Sequence, residues 1–242
     1  MSFDPDDTPA APTKAPPLGD LVYLGLKTRI LGHEFRMGDP LREDEVATWF
    51  AASRLPAREA LRRLEQEGLV ARVGRRYTVR AYTPDEILVT YRIRAALEHL
   101  GTELAVARLT ETDEAAITAL LVDQRIAAQS RDRGEFSRMD KLFHMSIAAI
   151  GGNPALTREL ELVMDRVTLI RSHEIAIDSG AMAAYDDHCR IFEAICRRDA
   201  AIARSELDYH YATTLLLHHM NPVAQVPPRP AVRRLRQITD QA

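Results

Sequence analysis

Apolar residues first recur at helical spacing shortly after the N-terminus. They are Leu21, Leu24, Leu26, Ile30 and Leu31. This spacing predicts a helix over residues 20–33. A polar break follows at residues 38–40, and the next apolar positions predict a short helix over residues 43–50. The residues expected to face inward from this second helix are Val46, Ala47 and Phe50.

A third helix is bounded by recognisable end signals. Ser53 suits the N-cap position, and Pro56 is tolerated in the first turn, where a missing N–H has no intrahelical partner. Gly68 suits the position just after the last turn. These signals predict a helix over residues 54–67. Its buried stripe is expected to consist of Ala60, Leu61 and Leu64.

Two short runs rich in β-forming residues come next. They cover residues 69–73 and 77–81, on either side of the turn Gly74-Arg75-Arg76. Three helices followed by a two-stranded hairpin make a winged helix-turn-helix, so this fold is predicted for residues 20–82.

The remaining pattern is helical, without a convincing strand. Thr83 can cap the first helix, and Pro84 suits its first position. Helices are predicted near residues 84–109, 112–130, 134–150, 154–172, 180–198 and 200–219. Because the breaks between them are short, successive helices are expected to run antiparallel. The predicted fold class is mainly α, with a winged helix-turn-helix followed by an all-α antiparallel helical bundle.

Composition divides the chain of 242 residues into four segments. Residues 1–19 are acidic and Pro-rich and are predicted to be a disordered arm. Residues 20–82 form the winged helix-turn-helix domain, and residues 83–220 form the helical domain. Residues 221–242 are rich in Pro and Arg, which predicts a flexible tail.

Several features of the sequence point to a cytoplasmic protein. No apolar run approaches the roughly 20 residues that span a bilayer, so no membrane association is expected. The acidic N-terminus does not resemble a secretory signal. Cys189 and Cys196 lie seven residues apart on one predicted helix, which is too far for a disulfide. Reduced thiols fit the cytoplasm.

Charge is distributed unevenly between the two predicted domains. The whole chain has a net charge of −3. Residues 54–80, however, carry eight Arg against three Glu, whereas residues 83–220 carry 15 Lys and Arg against 22 Asp and Glu. A basic patch on a small front domain and an acidic body are more typical of a DNA-binding regulator than of an enzyme.

Five arginines are the candidate DNA contacts. Arg54, Arg58 and Arg62 repeat every four residues, so they project from one face of the third helix, opposite its apolar stripe. Arg75 and Arg76 lie in the predicted wing. Arginine pairs bidentately with guanine or clamps a phosphate. The alternative is a solvated, Arg-rich surface.

Four residues have the types and the spacing of a metal site. Asp140 and His144 stand four apart on one helix face, and His188 and His210 lie equally far on either side of Asp199. If the chain turns at Asp199, the two histidines face each other. Three imidazoles and one carboxylate suit a divalent transition metal such as Zn, Ni, Mn or Fe. The alternatives are histidines in the core and a surface ion pair between Asp140 and His144.

Segments from both predicted domains carry a family resemblance. The segment "SRLPAREALRRLEQEGLVARVGRRYTV" resembles the winged-helix signature of GntR-type transcription regulators. The segments "YRIRAALEHLGTELAVARLT", "DKLFHMSIAAIGGNPAL" and "HCRIFEAICRRDAAIARSELDYH" resemble the all-α FCD effector domain of the FadR subfamily. The resemblance runs from about residue 20 to residue 219, and its motifs occur in the expected order.

The resemblance implies a homodimeric repressor that binds a pseudo-palindromic, double-stranded operator. It also implies a small carboxylate effector at the metal and assigns Asp140, His144, His188 and His210 as metal ligands. The candidate effector contacts are Arg94, Arg171 and Asn153. Arg94 could instead pair with Glu98, and Asn153 could simply cap the helix that follows it.

Two other functions compete with this interpretation. A metal-dependent hydrolase would need a general base beside the metal, and only Lys141 and Ser146 stand nearby in the sequence. A direct metal sensor would respond to the ion without any organic ligand. We therefore predict a regulator and not an enzyme.

Overall fold

The computed structural model describes residues 16–172 and 180–217. The chain divides into two compact units, Met1–Arg80 and Ala81–Ala242. Most of the predicted arm, and all of the predicted tail, lie outside the described residues. The arm is predicted to extend to residue 19, but the first helix already begins at Leu18. The last two residues of the predicted arm are therefore helical.

The N-terminal unit contains three helices and three short strands in the described residues. They are α1 (Leu18–Leu31), β1 (Pro40–Leu41), α2 (Glu43–Trp49), α3 (Arg54–Glu67), β2 (Val70–Val73) and β3 (Arg76–Val79). The mainly helical fold class is confirmed, with α1 and α2 packed against α3. The two-stranded hairpin is corrected to a three-stranded sheet in the order β1-β3-β2. The extra strand has only two residues, so it has no alternation that a sequence pattern could reveal.

The apolar pattern of α1 is only partly a burial pattern. Leu26 and Ile30 are buried, but Leu21 and Leu24 are about half exposed. The buried row instead begins at Val22, because residues four apart lie on one face of a helix. One burial prediction for the second helix is also wrong. Phe50, which follows the last residue of α2, is only half-buried.

The ends of α3 follow their sequence signals closely. Gly68 adopts a left-handed conformation with φ of 82°, and its N–H bonds back to the last turn of the helix. Ser53 occupies the N-cap position but makes no side-chain capping bond. In the wing, Val73 of β2 pairs with Arg76 of β3, and Gly74 supplies the positive φ that a two-residue hairpin turn requires.

The second unit is helical throughout its described residues. Its helices are α4 (Pro84–Arg108), α5 (Glu111–Ser130), α6 (Arg133–Ile150), α7 (Pro154–Ser172), α8 (Gly180–Cys196) and α9 (Ala200–Leu217). The first of these begins with the predicted Thr83 cap, in which the threonine hydroxyl and the Glu86 side chain bond reciprocally to backbone N–H groups. No helix in residues 16–172 or 180–217 is long and apolar enough to cross a bilayer.

The 25-residue helix α4 contacts α6, α7 and α9, while α5 packs on α6 and α8. Because α4 is covered by other helices on several sides, some of its polar side chains are buried as well. They are Thr90, Arg94, Glu98 and Thr102. Buried polar groups need partners inside the protein, and one partner of Glu98 is the candidate metal ligand His144.

Candidate metal centre and nucleic-acid interface

The four predicted metal ligands come together inside the helical unit. Asp140 and His144 lie one turn apart on α6, His188 lies on α8 and His210 on α9. All four are buried, and one ligand atom from each lies within 4.8 Å of the others. The ring centroids of His188 lie 4.8 Å from those of both His144 and His210. His188 and His210, which lie equally far from Asp199 along the chain, are therefore neighbours across the two helices.

Each ligand residue sits where its helix would otherwise place an apolar core residue. On α6, Asp140 and His144 interrupt a buried stripe that is otherwise formed by Met139, Phe143 and Ile147. A stacked contact at 4.5 Å between the rings of Phe143 and His188 closes one side of the cluster. Sequence periodicity thus directs the polar groups inward together with their apolar neighbours.

A carboxylate sets the tautomer of His144. The Nδ1 atom of His144 lies 2.6 Å from Oε2 of Glu98 on α4. Because an ionised carboxylate can only accept a hydrogen bond, Nδ1 carries the proton and donates it. The Nε2 atom of the ring is buried and has no hydrogen-bond partner among the described residues. Its lone pair is therefore available to a metal.

His188 is oriented in a similar way, whereas His210 faces a carboxylate at a distance beyond that of a hydrogen bond. Nδ1 of His188 lies 2.9 Å from the Gln124 side-chain oxygen on α5, which accepts a hydrogen bond from the Nδ1–H group. Nδ1 of His210 faces Oδ2 of Asp187 at 3.6 Å. In both rings, Nε2 is buried without a hydrogen-bond partner in the described part of the chain. Such partners outside the ligand set fix the ring orientation of metal-binding histidines.

The carboxylate of Asp140 completes the set. Arg171 on α7 donates from Nη1 to Oδ2 of Asp140 at 2.8 Å, and from Nε to the Tyr91 hydroxyl at 3.3 Å. The other oxygen, Oδ1, is buried and lacks a hydrogen bond within the described residues. One carboxylate oxygen and three imidazole nitrogens thus lie close together without hydrogen-bond partners in the described residues. A divalent transition metal binds this set of donor atoms.

The surroundings of Asp140, His144 and His188 shift their pKa values towards the ionisation states that a metal needs. Burial by itself would raise the pKa of Asp140, but Arg171 and nearby positive groups hold that pKa well below its usual range. Burial lowers the pKa of His144, against the opposing effect of Glu98. It lowers the pKa of His188 further, and His210 adds to that effect. Neutral imidazoles beside an ionised carboxylate are the metal-binding forms.

Arg94 is a buried cation next to the cluster. Its side chain is fully buried, and its Nε donates to Oε1 of Glu98 at 2.7 Å, so the predicted ion pair is present. The same glutamate accepts a short hydrogen bond from the Tyr211 hydroxyl. However, Nη1 and Nη2 of Arg94 have no hydrogen-bond partner among the described residues. Arg94 is also close enough to lower the pKa of Asp140. Two forked donors are therefore free beside the cluster.

The remaining candidate effector contact has a structural role. Oδ1 of Asn153 accepts a hydrogen bond from the backbone N–H of Leu156 at 3.2 Å, which caps the start of α7. The cap that the sequence suggested is therefore present, and a contact between Asn153 and an effector stays a prediction.

The candidate general bases for a hydrolase gain no support from their surroundings. Nζ of Lys141 lies 2.5 Å from Oδ1 of the buried Asp165, so the amine is held in an ion pair. Ser146 lies on the same helix and is half-buried.

The candidate DNA contacts form an exposed basic face on the N-terminal unit. Arg54, Arg58 and Arg62 are all exposed on α3, opposite the buried residues of the helix. Arg58 faces Glu43 at 3.4 Å, whereas Arg54 and Arg62 make no ion pair with any residue in the described ranges. Three guanidinium groups along one helix face can meet phosphates or the edges of bases.

The wing adds two further exposed arginines. Arg75 lies in the hairpin turn, and Arg76 begins β3. Neither forms an ion pair within residues 16–172 and 180–217. A hairpin tip with two such cations can approach a phosphate backbone.

Three residues that support the metal site were missed by the sequence analysis. In the sequence, Glu98 stands out only as a possible partner of Arg94, and no spacing singles out Gln124 or Asp187. One signal for Gln124 exists, since it interrupts the buried face of α5 between Leu121 and Ala127. An amide on such a face needs an internal partner, but the sequence does not say which histidine provides it.

Family comparisons agree with this architecture. The family described as "Bacterial regulatory proteins, gntR family" matches residues 18–79, and the FCD domain matches residues 89–213, just over half of the chain. The chain belongs to the GntR family of transcription regulators, in the group that carries an FCD domain. These are families of regulators, not of enzymes, so the predicted absence of enzyme activity agrees with them.

Individual relatives support the same assignment along most of the chain. YdhC, an uncharacterized HTH-type transcriptional regulator of Bacillus subtilis (strain 168), is 29% identical over 78% of this chain and 85% of its own length. The HTH-type transcriptional repressor RspR of Escherichia coli (strain K12) is 26% identical over 84% of this chain and 89% of its own. The solved structure of E. coli McbR/YncC has a TM-score of 0.75 at 22% identity, covering 86% of this chain and 99% of that one. This last likeness concerns the fold.

Proposed function

We propose that this GntR-family regulator is a metal-containing repressor that a small carboxylate releases from its operator. The observation that carries the proposal is the set of four converging atoms without hydrogen-bond partners, three imidazole Nε2 atoms and one Asp140 oxygen. Packing four polar atoms together in a core without partners is costly, so a ligand between them is the simplest explanation.

Asp140, His144, His188 and His210 would hold the metal, which is Zn, Ni, Mn or Fe in the divalent state. When bound, such an ion supplies a centre of positive charge to which a carboxylate oxygen can bind. The protein's own contribution is the orientation of the ligands. Glu98 and Gln124 accept hydrogen bonds from the Nδ1–H groups of two of the rings, and Arg171 holds one oxygen of Asp140.

A small organic acid is the effector class that the surroundings favour. Arg94 supplies two buried donors without a partner, in the forked arrangement that suits a carboxylate. A bound anion would also offset the charge of a buried guanidinium. We assign Arg94 as the main effector contact and Arg171 as a second one that already holds Asp140. A contact from Asn153 remains part of the proposal.

The DNA-binding surface is proposed to consist of α3 and the wing. Arg54, Arg58 and Arg62 would enter the major groove, and Arg75 and Arg76 would contact the backbone or the minor groove. Two copies related by a two-fold axis would read a pseudo-palindromic operator. Repression is supported by relatives named as repressors, including RspR and a probable D-xylose utilization operon repressor of Paenarthrobacter nicotinovorans.

Elemental analysis of the purified protein tests the metal site. We expect about one transition-metal ion per chain in the wild type and almost none in the His144→Ala/His210→Ala double variant. His99→Ala is the matched control, because it removes a half-buried imidazole that pairs with Asp208 outside the cluster. No metal in the wild type, after growth with metals supplied and without chelators, would overturn the metal proposal and leave the family assignment intact.

Operator binding by metal-loaded protein then separates the effector from the ion as the signal. Small carboxylates are added to the complex of loaded protein and DNA, and in a parallel series the metal alone is varied. Release by a carboxylate at constant metal supports the proposal. If metal alone changes DNA affinity and no carboxylate does, the protein is a direct metal sensor.

A further inference from the structure

One large apolar side chain stands on the outer face of α3. Leu55, the second residue of the helix, is 60% exposed. Among the large hydrophobic side chains of the described residues, only Val73 on the wing is more exposed, at 66%. A single exposed leucine is ordinary in itself, so the surroundings of Leu55 decide whether it has a role.

Those surroundings are the basic face of the helix. Arg58 and Arg62 follow Leu55 by three and seven residues, which at 3.6 residues per turn places all three side chains on one face. The buried side of α3 lies opposite, at Ala57, Ala60, Leu61 and Leu64. Leu55 therefore adds nothing to the core of the unit. It places an apolar group next to two guanidinium groups on the face that is available to DNA.

Its place in the first turn matters as well. In helix-turn-helix proteins, the N-terminal residues of the recognition helix are those that contact base edges. A leucine there offers neither a donor nor an acceptor. Over most base edges it would cover polar atoms without bonding to them, which is unfavourable. The major groove presents one apolar group that it can cover at no such cost, the C5 methyl group of thymine.

We propose that Leu55 is a specificity-determining residue that packs against the C5 methyl group of a thymine in the operator. The inference rests on the proposed role of α3 as the base-reading helix. In this arrangement the arginines of the face bind phosphates or guanines, and Leu55 selects thymine at the position it covers. Discrimination arises because the contact removes both the methyl group and the leucine side chain from water.

The test removes the methyl group without changing base pairing. An operator is first selected from random duplexes with the full-length, metal-loaded protein. Each thymine is then replaced in turn by deoxyuridine, and affinity is measured by fluorescence anisotropy at one salt concentration. For the wild type we expect a loss of roughly 3- to 5-fold at one thymine position in each half-site, the effect of one buried methyl group. Leu55→Ala should bind the thymine duplex more weakly and should not distinguish it from the deoxyuridine duplex.

Leu24→Ala is the matched control, since it shortens a leucine on α1 that is 54% exposed. It should keep the full response to deoxyuridine. The proposal is overturned if the wild type responds to no deoxyuridine, or if Leu55→Ala loses as much affinity as the wild type at the same position. Arg58→Ala separates this failure from a failure of the DNA interface. If Arg58→Ala weakens operator binding while the deoxyuridine scan is flat, α3 is the reading helix and Leu55 has no part in it.

Discussion

The two units of the molecule use arginine in opposite ways. On α3, Arg54 and Arg62 are exposed and make no ion pair within the described residues. In the helical unit, Arg94 is fully buried and Arg171 mostly so, and each is paired with a carboxylate. The first set is arranged for a partner outside the chain. The second set is held by partners inside it.

This difference follows from the free energy of removing charge from water. An exposed guanidinium stays hydrated until a phosphate or a base replaces the water, so it contributes little to folding. A buried guanidinium must be compensated in the folded state, and removing its partner leaves an isolated charge. Substitutions in the helical unit should therefore lower stability and ligand binding together. Substitutions of the exposed Arg54, Arg58 and Arg62 on α3 should affect DNA binding far more than stability.

Glu98→Ala should produce the largest effect. It removes the partner of Arg94 at 2.7 Å and of His144 at 2.6 Å, and it also leaves the Tyr211 hydroxyl unpaired. We expect the free energy of unfolding of the helical unit to fall by about 3–5 kcal/mol. Urea denaturation followed by far-ultraviolet circular dichroism measures this change.

Two internal controls make that result specific. Glu103→Ala removes an exposed glutamate from the same helix and should have little effect. Trp49, the one tryptophan of the chain, lies in the N-terminal unit, so its fluorescence follows the unfolding of that unit separately. A Glu98→Ala protein as stable as the wild type would mean that Arg94 does not depend on this carboxylate.

The comparison also explains what the sequence could predict of the fold. The bounds of α3 were predicted correctly because Gly68 and the residues around Ser53 act locally, through backbone conformation and capping positions. The strand β1 was missed because its two residues become a strand only by pairing with β3, at Leu41 and Tyr77. Burial along α1 was misjudged for a similar reason, since the pattern shows periodicity but the neighbouring helix α3 decides which leucines are covered.

The candidate metal centre likewise contains residues that spacing along the chain predicts and residues that it does not. Asp140 and His144 are one turn apart, so helical spacing alone brings them together, and symmetry about Asp199 did the same for His188 and His210. Glu98 and Gln124 come from two other helices. Their contacts depend on how α4 and α5 pack against α6 and α8, and no spacing along the chain contains that information.

Arg58→Ala tests the exposed side of the comparison. If Arg58 leaves Glu43 to make a bidentate contact with a guanine, the variant should lose about 1–3 kcal/mol of operator affinity. Stability should stay within about 0.5 kcal/mol of the wild type, as for most surface substitutions. Anisotropy titrations with a selected operator, together with thermal melting, measure both quantities.

Arg63→Ala is the matched variant for that experiment. The two arginine side chains are almost equally exposed, at 52% and 51%. Arg63, however, pairs with Asp20 and lies over the ring of Tyr23, 3.6 Å from its centroid. The Arg63→Ala substitution should therefore lower stability more than it lowers operator affinity. If both variants lose the same affinity, the effect of Arg58 comes from the general charge of α3 and not from a specific contact.

Gln124→Leu tests whether the partners outside the ligand set matter to the metal. The substitution keeps the side chain's approximate size but removes the oxygen that accepts a hydrogen bond from Nδ1–H of His188 at 2.9 Å. We expect metal affinity to fall by about 10- to 100-fold, measured by competition with a chromogenic chelator. Gln129→Leu, an exposed position on the same helix, should leave it unchanged. Equal affinities in the two variants would show that packing, and not this hydrogen bond, orients His188.

Thr83→Ala should have the smallest effect, and it sharpens the comparison by lowering stability without touching either proposed site. The Thr83 hydroxyl accepts a hydrogen bond from the backbone N–H of Glu86, and the Glu86 side chain bonds back to the backbone N–H of Thr83. Losing this cap at the start of α4 should lower the free energy of unfolding by about 1 kcal/mol. Thr83→Ser keeps the hydroxyl and should retain most of that stability. Metal content and operator affinity should not change in either variant. If Thr83→Ala did lower operator affinity, the start of α4 would contribute to DNA binding, and the separation between a surface that reads DNA and a core that holds the ligand would have to be given up.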